Sequence, residues 1–365
     1  MKLRRRHPKQ QTATKPLRLQ SWTEFKIMMM LNILLIVAAS SSTTWSDDIN
    51  KLKVGAKFKA TDTLAPARDD SEDATKCLEG LCWSPGKFVV HVDSAVEDCG
   101  DWLVRFPSPI DSENKRNDLV AMEWYQARNA DQKLITAPAV VVVHETGSRM
   151  TVGRLFARGL QMQGLHAFMI QLPHYGERRT GKNRPDGGNL ISMMKQAVAD
   201  VRRARDAVAA LPLVDTSRIS LQGTSLGGFV SATVGSLDDG YDKVFLMLAG
   251  GELYDLIQNG KKDAAKVRER LEKAGIKGEK LRKLTLAVEP TRIAHRLKPE
   301  RTWLYSGIFD TVVPTKNAAA LATSAKLSKN HHIQMLANHY TGIVYLPFVL
   351  SHIAQHARKP VESEK

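Results

Sequence analysis

The chain has 365 residues, 43% of them hydrophobic and 25% charged, the balance of a soluble globular protein with room for one α/β domain of about 250 to 300 residues. A net charge of +15 points first to nucleic acid or an anionic surface, but eight basic residues between Lys2 and Lys26 face only Glu24, so much of the excess sits in the head. The remaining +8, from 45 basic and 37 acidic residues, contains no arginine-rich or aromatic-interleaved stripe, which argues against a nucleic-acid partner.

After that head come the mostly apolar residues 27–39 and then the small polar run Ser40 to Thr44. A charged segment, a short apolar segment and small residues at a cut are the parts of a secretory signal peptide. Thirteen residues are short for a bilayer span, so residues 1–45 are expected to direct export to the periplasm or medium; an uncleaved anchor and a buried helix are the alternatives. No stable membrane association is expected after cleavage. Residues 46–76 are polar, acidic at Asp69, Asp70, Glu72 and Asp73, and poor in large apolar side chains, the pattern of a linker or loosely held arm. The domain proper is expected over 77–360. Cys77, Cys82 and Cys99 lie at its start; in an exported chain a Cys77–Cys82 or Cys82–Cys99 bridge is expected, with one thiol left over. Their spacing fits no zinc pattern, and no metal or organic cofactor is implied.

Phe88 to Val92, Asp101 to Phe106 and Leu119 to Tyr125 read as strands with short links, the antiparallel edge of a mixed sheet. From Pro138 strands and helices alternate. Ala139 to Val143 and Leu165 to Leu172 are apolar runs suited to strands buried on both faces, with a helix from Gly153 to Gln163 between them. Asn189 to Leu211 carries apolar residues at helical spacing, an amphipathic helix that ends before Pro212. Strands follow at 219–222, 244–248, 302–305 and 332–336, with helices at 229–236, 315–327 and 342–356. This alternation predicts a mostly parallel sheet covered by helices, with ligands at the carboxyl ends of its strands. Residues 252–300 interrupt it; Lys261 to Lys283 holds ten basic and four acidic residues and reads as two charged helices broken at Gly275, either a cap or a solvated surface insertion.

The chemistry centres on Gly223-Thr224-Ser225-Leu226-Gly227-Gly228, a G-x-S-x-G turn between a strand and a helix. In a nucleophile elbow the serine stands at the apex of such a turn, and flanking glycines let the backbone pack tightly. A serine hydroxyl needs a base to take its proton and a carboxylate to orient that base. Asp310, after the strand at 302–305, is the expected acid, with Glu252 and Asp255 as rivals. His339, just beyond the last strand, is the expected base, because His331, His332, His352 and His356 lie within a strand or late in a helix. An attacked carbonyl also needs two donors. The N–H of Leu226 at the helix start is one; Thr146 or a neighbour in His144-Glu145-Thr146-Gly147 is the other, with His144 itself structural. His174, Arg178 and Arg179 end the next strand on the same side, either as substrate contacts or as a solvated turn.

On these motifs the chain, from about Phe88 onward, resembles an α/β-hydrolase-fold enzyme. Carried over, Ser225 is similar to the family nucleophile, Asp310 to its acid and His339 to its base. The His144 loop is similar to the family's His-Gly-x-Gly oxyanion segment, except that Glu145 stands where glycine is usual. The layout looks most like the dienelactone-hydrolase and acetyl-xylan-esterase branches. The resemblance implies a serine esterase acting through an acyl-enzyme on a small-molecule or carbohydrate ester, and the N-terminal head adds the expectation that it is secreted. Peptidase, thioesterase and acyltransferase chemistry use the same three residues, and a catalytically silent binding protein is the reading from another class.

Overall fold

A computed structural model describes residues 51–181 and 189–360. The expected signal peptide, residues 1–45, lies outside the described residues. In chain order the strands are β1 (Ala56–Thr61), β2 (Lys87–Val96), β3 (Cys99–Pro107), β4 (Leu119–Tyr125), β5 (Ala137–Val143), β6 (His166–Gln171), β7 (Val214–Thr224), β8 (Val244–Met247), β9 (Thr302–Gly307) and β10 (His332–Met335). They form one sheet of order β1-β2-β3-β4-β6-β5-β7-β8-β9-β10. Its first half, through the β4/β6 pair, is antiparallel, and every pair from β6 to β10 is parallel.

The division follows from the connections. β2 and β3 are joined by a tight turn in which Asp98 (φ 59°) and Gly100 (φ 89°) take left-handed backbone, and a Cβ at Gly100 would stand 2.9 Å from the Trp124 carbonyl oxygen. β5 and β6 are buried at every position because helices cover both faces, as their unbroken apolar runs require. The helices are α1 (Glu72–Glu79), α2 (Thr151–Met162), α3 (Leu190–Ala209), α4 (Leu226–Gly235), α5 (Leu253–Asn259), α6 (Asp263–Lys273), α7 (Gly278–Leu286), α8 (Thr315–Ser324) and α9 (Leu346–Ala357). From β5 the chain crosses to β6 on one side and then returns to β7 on the other. The loops that leave β5 and β7 therefore diverge, and a crevice opens at their carboxyl ends. Val143 pairs with Gly223, so both loops start at the same height.

Two expectations need correction. The stretch 46–76 is no loose arm from Ala56 onward: all six residues of β1 pair with β2, and Ser71 caps α1 by accepting the Ala74 N–H. Charge pairing to α3 holds it there. The buried Asp62 carboxylate accepts Arg203 Nε at 2.9 Å, Trp83 Nε1 at 3.2 Å and the Gly86 N–H at 3.0 Å, while the Thr63 hydroxyl donates to Asp206 at 2.7 Å. The polar side of α3 is accordingly buried rather than solvated, at Gln196, Asp200, Arg202, Arg203 and Asp206.

The cysteines form no bridge; Cys77, Cys82 and Cys99 are all free. Cys77 faces the core from α1 and Cys99 opens β3, so the two ends of the expected framework sit on different elements. Burial pushes all three thiols up, Cys82 to about 11, the setting of inert rather than nucleophilic sulfur.

The 252–300 insertion resolves as a cap. Its helices α5 to α7 bury Leu253, Leu256, Ile257, Leu271 and Leu281, and they wall the cavities at the strand ends. Left-handed Gly275 (φ 70°) breaks the charged stretch between α6 and α7, and left-handed Gly278 (φ 54°) opens α7.

Candidate active site

β7 ends at Thr224, α4 begins at Leu226, and Ser225 between them has φ 52° and ψ −114°. Such backbone costs a residue with a Cβ on the order of 1–3 kcal/mol, so the surroundings must impose it. Two features do. The Ser225 N–H donates to the Met247 carbonyl at 2.8 Å, anchoring the turn to β8. A Cβ at Gly223 would overlap the Gly227 carbonyl and the Ser231 hydroxyl, and one at Gly227 would overlap the Val143 carbonyl, so both glycines let α4 seat against β5 and β7.

His339 lies in the loop after β10 with Nε2 3.0 Å from Ser225 Oγ, and its Nδ1 is 2.7 Å from Asp310 Oδ2. The other Asp310 oxygen accepts the N–H groups of Val312 at 2.8 Å and Val313 at 2.9 Å. Residues 311–314 thus wrap back to hold the carboxylate instead of separating it from α8. Both partners are sequestered: the Asp310 side chain is 2% exposed and that of His339 9%. With Nδ1–H donating to Asp310, Nε2 presents its lone pair to Ser225. The rival acids are engaged elsewhere. Asp255 accepts from Asn259, Lys316 and Asn317, and Glu252 is exposed where α5 starts. Among the other late histidines, His331 contacts the Thr302 carbonyl, His332 the Ser306 hydroxyl and His352 the Tyr305 hydroxyl.

Leu226 opens α4, the turn whose N–H groups lack intrahelical acceptors. Thr146 faces it across the crevice; both line a cavity of about 530 Å³ with Ser225 and His339. The Thr146 carbonyl accepts the Tyr175 hydroxyl at 3.0 Å, which pins the loop from the far side. Buried His144 stays structural: its Nδ1 lies 2.6 Å from the Glu145 carbonyl and its Nε2 accepts the Leu172 N–H at 3.2 Å. Glu145, the departure from glycine, has a structural use. Its carboxylate accepts the N–H groups of Val152 at 3.2 Å and Gly153 at 3.1 Å, capping α2, whose own N-cap position, Met150, offers no side-chain acceptor.

The three residues expected at the substrate divide. His174 (φ 66°) lines a second, apolar cavity next to the first. Arg178 lines neither cavity; fully buried, it donates to the Asn117 carbonyl at 2.7 Å, the Gln171 carbonyl at 3.0 Å and Asp200 at 2.7 Å. A guanidinium with partners of that kind holds the turn after β6 to α3. Arg179 is exposed at the end of the same turn and lines neither cavity. Two contributors escaped the sequence reading. Besides Tyr175, Tyr340 donates its hydroxyl to Asp263 at 2.9 Å and lies 4.7 Å from Lys262 Nζ, tying the His339 loop to the cap. Its position next to His339 was the one available signal.

Sheet order, crossovers and the sharp turn at Ser225 are those of the α/β-hydrolase fold, and the comparisons agree on that fold. Residues 191–342 match the prolyl oligopeptidase family. In fold the chain is similar to an acetyl xylan esterase from Paenibacillus sp. R4, at 14% identity and a TM-score of 0.55, covering 79% of this chain and 97% of that one. It is also similar to acetyl xylan esterase 1 from Thermoanaerobacterium sp. JW/SL YS485, at 14% identity and a TM-score of 0.53 over 80% and 96% of the two chains. A puromycin-hydrolyzing peptidase from Mycobacterium tuberculosis is 15% identical with a TM-score of 0.50, over 76% of this chain and 47% of that one. No curated protein matches the chain in sequence.

Proposed function

We propose that the chain is a serine hydrolase that cleaves a carboxylic ester through an acyl-enzyme. The observation that carries this reading is the unbroken hydrogen-bonded line from Ser225 Oγ through His339 to Asp310, ending at a cavity. His339 Nε2 takes the hydroxyl proton as Ser225 Oγ attacks the carbonyl carbon, and Asp310 stabilises the imidazolium that forms. The N–H groups of Leu226 and Thr146 hold the tetrahedral oxyanion. Collapse expels the alcohol, protonated by His339, and water then removes the acyl group by the same route. The substrate is a small-molecule or carbohydrate ester, and the chain works outside the cytoplasm once its basic, apolar head is removed. A fluorophosphonate should label the wild type and not Ser225→Ala; ester turnover unchanged in that variant would reject the reading.

The match of residues 191–342 to the prolyl oligopeptidase family favours a second reading, a peptidase using the same three side chains. Paired ester and amide substrates with one acyl group separate the two. An esterase releases the alcohol and leaves the amide intact, whereas a peptidase turns over both.

A further inference from the structure

A second cavity, of about 150 Å³, lies beyond the one that holds Ser225. Ile191 and Met194 of α3, Phe229 of α4, Ile257 of α5, Leu271 of α6 and Leu284 of α7 give it an apolar wall. Of the described wall residues only His174 and Arg270 carry charge near neutral pH. Burial, reinforced by nearby Arg178, pushes His174 below the usual histidine range and so toward its neutral form. The two cavities share Thr146, Leu226, Phe229 and Val267, so the smaller starts where the residue after the nucleophile ends. His339 and Tyr340 line only the larger.

Chemistry assigns a direction to each. The leaving oxygen must take its proton from His339, so the alcohol departs on that side. The acyl group, fixed at its carbonyl carbon by Ser225 and at its oxygen by Leu226 and Thr146, then points the opposite way, past Leu226 under the cap. A dry cavity of about 150 Å³ lined by Leu, Ile and Phe is large enough for benzene. We infer that the smaller cavity is the acyl subsite and that the preferred substrates are esters of apolar acids of about six carbons, not acetyl esters. This rests on Ser225 being the nucleophile.

The test is a series of p-nitrophenyl esters from acetate to dodecanoate with the purified chain. Each buried methylene is worth about 0.8 kcal/mol, so kcat/KM should rise about fourfold per CH2 to hexanoate or octanoate and stop rising by dodecanoate. Filling the cavity from two sides, with Ile257→Trp or Leu284→Trp, should lower the hexanoate-to-acetate ratio of kcat/KM at least tenfold. Two variants on different helices guard against one that fails to fold. A flat series, a best rate with acetate, or a ratio unmoved in a folded variant overturns the subsite. Fluorophosphonate labelling separates the failures: Ser225 labelled with a flat series sinks the acyl subsite alone, whereas no labelling and full turnover by Ser225→Ala sink both.

Discussion

Two buried charge systems in this molecule use the same residue types and end in opposite states. Around α3 three carboxylates are each closed on several sides. Asp62 is held by Arg203, Trp83 and Gly86; Asp206 by Thr63, Arg202 and Arg205; Asp238 by Arg202 and the Ala65 N–H. At the carboxyl ends of β7 and β9, Asp310 is closed just as firmly, by His339 and two backbone N–H groups, but the line it starts finishes on a serine hydroxyl facing a cavity. A network with no free end fixes one conformation, whereas a line with one end open holds a proton acceptor ready for whatever enters.

The open line is most sensitive at Ser225. Ser225→Ala should lower ester turnover by a factor on the order of 10⁶, the size seen when a nucleophile of this kind is lost, with thermal unfolding essentially unchanged. Asp310→Asn should cost about 10⁴ in kcat, because an amide no longer selects the tautomer that points an Nε2 lone pair at the serine. Equal losses of stability in either variant would mean that the line supports the fold rather than the reaction.

The saturated network should respond in the reverse way. Arg203→Ala leaves Asp62 buried and stripped of its charged partner, which should cost about 3–5 kcal/mol in urea unfolding. Turnover per folded molecule should stay within about twofold of wild type, since no member of this network lines the cavity at Ser225. A folded Arg203→Ala protein without activity would join the two systems and remove the contrast.

How much of this was legible in the sequence depends on how far apart the partners lie along the chain. The parallel strands and the turn at Ser225 were, because apolar runs and a glycine pair act over a few residues. Asp310 and His339 were also, since both sit directly after strands whose ends must converge. The anchoring of residues 56–79 was not. Asp62 and Arg203 are 141 positions apart, and a short acidic stretch reads as solvated until its arginines are in place. Arg178 failed for the same reason: in sequence it ends a strand at the carboxyl side of the sheet, and its partners in the fold, the Asn117 and Gln171 carbonyls and the Asp200 carboxylate on α3, turn it inward. Glu145 looked like a defect in an oxyanion loop because its use, capping α2, depends on where that helix begins.

At the edge of these charge pairs Asp69 ties the segment before α1 to the turns after the cap, and its effect should be smaller. Its carboxylate accepts Arg296 Nη1 at 2.9 Å and the Ser71 N–H at 2.9 Å, and it lies 2.9 Å from His295 Nε2. Burial alone would raise this acid, but the hydrogen bonds from Arg296, Ser71 and His295 outweigh it and hold the group at about 2, against 3.8 for a free aspartate. A folded-state value below the unfolded one means that the unfolded chain takes up the proton first as acid is added. The stability due to Asp69 is therefore whole above pH 3.8 and is lost as the pH falls from there to about 2. Urea midpoints of wild type and Asp69→Asn, measured in steps from pH 6 to pH 2, should differ at the top of the range and converge toward the bottom. A gap independent of pH would show that Asp69 acts there through shape and hydrogen bonding rather than charge. The boundary of the saturated network would then lie inside this residue.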